Sequence, residues 1–90
     1  MAFKADIGWT RRTEDGVKLD VYAYRTGGEW RFFQREKRYD RWQPVAEPPL
    51  EDWLELLDAI NRMIPRRRYP PDEAARVRKM ILDRFPEADV

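Results

Sequence analysis

Apolar residues fall on every second position in three early stretches of the chain and at three- and four-residue intervals in two later ones, so the pattern predicts strands followed by helices. In the first stretch Phe3, Ala5, Ile7 and Trp9 alternate with Lys4, Asp6, Gly8 and Thr10. Glu14-Asp15-Gly16 ends that strand. A three-residue loop with Gly16 in the left-handed region sets Trp9 opposite Val21, whereas a two-residue Asp-Gly turn would set it opposite Tyr22. The first register is preferred because it sends all four apolar residues to one face.

Two further strands are expected over Val17–Arg25 and Glu29–Lys37, joined at Gly27-Gly28. Two glycines supply the positive φ angles of a two-residue hairpin turn, so Thr26 faces Glu29, Ala23 faces Phe32 and Tyr22 faces Phe33. Alternation then collects Leu19, Val21, Ala23, Trp30 and Phe32 on one face. Lys18, Asp20, Tyr22, Tyr24, Arg31, Phe33, Arg35 and Lys37 fall on the other. A four-residue loop keeps this sorting and a three-residue loop reverses it. After a turn at 38–41, Trp42–Val45 suits a short fourth strand. Pro44 has no amide proton to donate to a ladder, which confines that strand to an edge or abolishes it.

Glu47-Pro48-Pro49 marks the change of period. Leu50, Trp53, Leu54, Leu57, Ile60 and Ile64, with Leu56 and Met63 widening the stripe, predict an amphipathic helix of about fourteen residues. Glu51 and Asp52 favour its N-terminal end, and Pro65 stops it. With Glu55 and Asp58, these acids are placed on its polar side. The device repeats at Pro70-Pro71-Asp72-Glu73, which opens a second helix with Ala74, Val77, Ile81 and Phe85 on one side. Pro86 closes it, and 87–90 reads as a short loose tail. The expected fold is α+β: an antiparallel three- to four-stranded β-meander with two C-terminal α-helices packed on its aliphatic face, one domain over residues 1–86.

Composition adds limits. Ninety residues allow one core, and 39% charged with 13% aromatic residues is not the composition of a disordered chain. The net charge is +1. Residues 1–45 carry ten basic and seven acidic side chains, and residues 46–90 carry eight and ten. That near-balance argues against a generally nucleic-acid-seeking surface and leaves a mild basic bias in the strand half. The absence of cysteine and the lack of a signal-like start point to the cytoplasm, and no apolar run is long enough to span a bilayer.

Catalysis is poorly provided for. The chain has no His, Cys or Ser and no glycine-rich phosphate loop, so the commonest general base, metal ligand and nucleophiles are all missing. The expectation is a noncatalytic protein without cofactor or metal.

Two constellations carry binding chemistry. The face with Tyr22, Tyr24, Arg31, Phe33 and Arg35 combines flat rings that can receive bases with guanidinium groups that can meet phosphates. The same face equally suits a protein partner or a second copy of the chain, and aromatic cross-strand pairs also stabilise sheets with no partner at all. Asp20 opposite Arg35 would be an ordinary ion pair. The second constellation is Arg66-Arg67-Arg68 between the helices. It can grip phosphates, with Arg76, Arg78 and Lys79 extending it, or merely complement a helix C-terminus. A third basic group, Lys37-Arg38 with Arg35 and Arg41, is diluted by Glu36 and Asp40. Asp72–Arg76 and Lys79–Asp83 have the spacing of pairs on a solvated helix face.

Overall fold

A computed structural model describes residues 7–90. Phe3 and Ala5, counted above in the first strand, lie outside the described residues. Four strands, β1 (Ile7–Arg12), β2 (Lys18–Thr26), β3 (Glu29–Arg35) and β4 (Gln43–Val45), precede two helices, α1 (Leu50–Met63) and α2 (Glu73–Arg84). The strands form one antiparallel sheet in the order β1-β2-β3-β4. The fold is therefore an α+β meander with two C-terminal helices. The chain divides into two compact units, one running through Pro48 and the other Pro49–Val90.

In the first unit, glycines set the register. Gly27 and Gly28 have φ of 58° and 81°, as a two-residue turn matched to the twist of its strands requires. Thr26 pairs with Glu29, Ala23 with Phe32 and Tyr22 with Phe33. In the β1–β2 loop the Gly16 amide donates to the Thr13 carbonyl at 2.9 Å, and the Thr13 amide to the Val17 carbonyl at 2.9 Å. Gly16 takes φ 84°, so three residues, 14–16, form the loop and Trp9 pairs with Val21. The consequence is one buried face holding Ile7, Leu19, Val21, Ala23, Trp30 and Phe32. Trp9 is half-buried on that face, edge-on to Phe32 with ring centroids 6.2 Å apart. Pro44 pairs with Phe33 in the edge strand, where its missing amide proton costs the sheet nothing.

In the second unit α1 follows Pro48-Pro49, with Pro49 at its N-cap, and α2 follows Pro70-Pro71 with Asp72 at its N-cap. The two helices pack on each other. The buried stripe of α1 is Trp53, Leu56, Leu57 and Ile60, with Asp52 and Ala59 at its margins; that of α2 is Ala74, Val77 and Ile81, with Glu73. Two expectations change. Leu54, assigned to the apolar stripe, is exposed, and Asp52, assigned to the polar side, is only 1% exposed. Period 3.6 locates an apolar arc but not its centre, and Asp52 lies beside Trp53 and one turn before Leu56. Phe85 is half-buried at the C-cap of α2 rather than within it.

Candidate binding face of the sheet

The face of β2 and β3 opposite the buried one carries the ring cluster. Tyr22 and Tyr24 are two residues apart on β2, Phe33 pairs with Tyr22, and Arg31 pairs with Tyr24. The three rings are close to parallel. Tyr22 and Phe33 lie 5.0 Å apart at 14°, Tyr24 and Phe33 5.8 Å at 12°, and Tyr22 and Tyr24 6.2 Å at 20°. These separations suit offset stacking, so each ring turns part of its face on a neighbour. All three remain half-buried rather than fully enclosed. Gly8 pairs with Tyr22 from β1 and leaves that flank without a side chain.

Trp42, read in the sequence as the start of the short fourth strand, belongs to this cluster. Its ring meets Tyr22 edge to face at 4.6 Å and 81°. The Arg35 guanidinium carbon lies 4.1 Å from the centre of the Trp42 ring, and Arg35 Nε is 3.6 Å from Asp20 Oδ2. Trp42, one residue before β4, was missed because no periodic pattern spans the turn; the signal that could have found it is Pro44, whose pairing with Phe33 brings this segment beside β3.

Charge is distributed unevenly around the rings. Arg35 has 21% of its side chain exposed and is engaged by both Trp42 and Asp20. Arg31 and Lys18 are exposed and have no side-chain partner among the described residues. Among the described residues, the face is thus an apolar patch with Arg31 and Lys18 lacking an ion-pair partner at its edges. At the far end of the same strands, an open cleft of about 370 Å³ is lined by Arg35 and Arg41 with Glu36 and Asp40, a balance that selects no charge. Asp40 is already occupied. Its carboxylate accepts the Lys37 amide at 3.1 Å and its own amide donates to the Lys37 carbonyl at 2.9 Å, closing the turn that precedes β4.

No family model, curated protein or solved structure matches the chain. What its surfaces do must therefore be read from their geometry.

The second constellation lies in the other unit. Arg66, Arg67 and Arg68 are all exposed, in the turn between α1 and α2. Tyr69, the next residue, is 7% exposed and anchors that turn, a role its sequence position did not announce. The expected pairs Asp72–Arg76 and Lys79–Asp83 form at 3.3 and 3.4 Å. Among the described residues no group of three His, Cys, Asp or Glu side chains is placed to hold a metal ion, and no helix is long and apolar enough to cross a membrane.

Proposed function

We propose that this chain is a noncatalytic binding domain whose working surface is the aromatic-basic face of β2 and β3, and that its ligand is single-stranded nucleic acid. The observation that carries the reading is the set of half-buried, near-parallel rings of Tyr22, Tyr24 and Phe33 with Arg31 paired beside Tyr24 and, among the described residues, without an ion-pair partner, and Lys18 further along the same face of β2. Bases stack on such rings whatever their identity, for about 1–3 kcal/mol each, while exposed guanidinium and ammonium groups attract the intervening phosphates. With few unpaired cations among the described residues of this face, the salt dependence of binding would be shallow, because few counterions are released.

A second reading, a protein partner or a second copy of the chain on the same face, has its own support. The rings overlap one another and Arg35 is engaged by Trp42 and Asp20, which favours a packed apolar patch over open slots for bases. Amide-shift titration with mixed-sequence single-stranded oligonucleotides at two salt concentrations separates the readings. Saturable shifts at Tyr22, Tyr24 and Phe33 that weaken with salt support the first. Their absence ends it. Sedimentation of the free chain tests the second: self-association abolished by Phe33→Glu would support it, and a monomer at all concentrations would count against a second copy on this face.

A further inference from the structure

The turn that closes α1 is built in an unusual way for the residues it contains. The Arg68 amide donates to the Met63 carbonyl at 3.2 Å and the Arg67 amide to the Ile64 carbonyl at 2.9 Å. This is the hydrogen-bond pair of a Schellman turn, whose left-handed position is ordinarily glycine. Here it is Arg67, at φ 60°, the one non-glycine residue with positive φ among those described. A side chain in that region crowds the following carbonyl, so the turn holds a guanidinium where a residue with no side chain would fit without strain.

The charges of this turn also stand apart from those of the helices. Arg62 pairs with Asp58 at 3.0 Å, Arg76 with Asp72, and Lys79 with Asp83. Arg84 donates to the Met80 carbonyl at 3.1 Å and lies over the Trp53 ring at 5.0 Å. Arg66, Arg67 and Arg68 have no side-chain partner among the described residues. Complementing the dipole of α1 does not account for them. A helix C-terminus carries about half a negative charge, and its effect fades within one turn, so it rewards each nearby cation only weakly.

Arg67 and Arg68 border an open recess of about 590 Å³ whose other walls are Ile64, Pro65, Tyr69, Pro70 and Pro71. Three prolines and a buried tyrosine make those walls stiff and largely apolar. We propose that this turn is a binding site for a small phosphorylated molecule, with Arg67 and Arg68 clamping the phosphate and the recess taking an apolar or ring-bearing body. A phosphate dianion presents three acceptor oxygens, enough for two guanidinium forks at once, and its charge offsets the mutual repulsion of the arginines; a carboxylate offers two oxygens and one charge. The site lies in the second unit and does not rest on the reading of the sheet face.

The test is an amide-shift titration of the whole chain with inorganic phosphate and with phenyl phosphate. Both should give saturable shifts at Arg66–Tyr69, with phenyl phosphate binding about tenfold or more tightly, since burying one ring side chain's worth of apolar surface readily exceeds 1.4 kcal/mol. Arg68→Gln should weaken phenyl phosphate by a similar factor without altering the backbone. Arg67→Gly should weaken it too while raising the melting temperature, a pair of opposite changes that a merely structural arginine would not give. The proposal is overturned if the turn shows no saturable shifts, if phenyl phosphate binds no better than inorganic phosphate, or if either variant binds as the parent does. Shifts at the turn with an oligonucleotide but not with phenyl phosphate would overturn it in favour of a nucleic-acid backbone.

Discussion

Tyr22 and Phe33 face each other across β2 and β3 with ring centroids 5.0 Å apart and planes 14° from parallel, on the side of the sheet away from its buried residues. Their contact is the centre of the half-buried ring cluster, since Tyr24 stacks against Phe33 and Trp42 abuts Tyr22. Half-buried rings in contact contribute to stability. A double-mutant cycle of Tyr22→Ala and Phe33→Ala in urea denaturation should return a coupling of about 0.5–1.5 kcal/mol. A coupling near zero would mean that the rings do not hold this arrangement in solution.

Arg35 offers a test of geometry against charge. Lysine keeps the charge opposite Asp20 but cannot lie flat over Trp42. Arg35→Lys should therefore lose about 0.5–1 kcal/mol, the worth of a partly exposed cation–π contact, and Trp42 fluorescence should shift toward that of a more hydrated indole. Equal stability of the two proteins would assign the pairing to the ion pair alone.

The hairpin turn tolerates little. Gly27→Val places a β-branched residue at φ 58°, where the cost is about 1–2 kcal/mol or more, while Gly28→Asn should cost only a few tenths because asparagine visits that region. Thermal denaturation of the two variants should separate them clearly, with the valine protein melting lower.

Asp52 and Glu73 are each 1% exposed and both engage partners. Replacing Asp52 by alanine removes a buried, partnered carboxylate at a cost of about 1–3 kcal/mol, whereas Glu73→Ala also removes Oε1, a buried oxygen with no hydrogen-bond partner, and should cost less. The urea midpoint of Asp52→Ala should fall well below that of Glu51→Ala, whose side chain is exposed, with Glu73→Ala between the two. Similar midpoints for all three would contradict the burial of these acids.

Arg67→Gly should raise stability by about 1 kcal/mol, because the strain of a left-handed side chain is removed, less the small penalty glycine carries in the unfolded chain. Guanidinium denaturation measures it. A fall in stability would mean that the Arg67 side chain contributes contacts outweighing its backbone strain.

Much of the fold was legible in local chemistry. Gly27-Gly28 and Gly16 determined the registers of β1, β2 and β3, and hence which residues share a face, because a two-residue or three-residue loop admits only one alternation. Prolines marked where both helices begin and end, since a residue without an amide proton and with fixed φ starts or stops a helix wherever it stands. The ring cluster of Tyr22, Tyr24 and Phe33 followed from that register alone. Three-dimensional packing decided the remainder. It seated Trp42 on Tyr22 and Arg35, because a turn with no period delivers its side chains only where the paired strands permit. It centred the α1 stripe so that Asp52 is buried and Leu54 exposed, since periodicity defines an arc whose orientation only the neighbouring surfaces select. And it set Arg67 in the left-handed region, where no residue type other than glycine or asparagine would have signalled it, because the backbone there answers to the hydrogen bonds that close α1 rather than to its own preference.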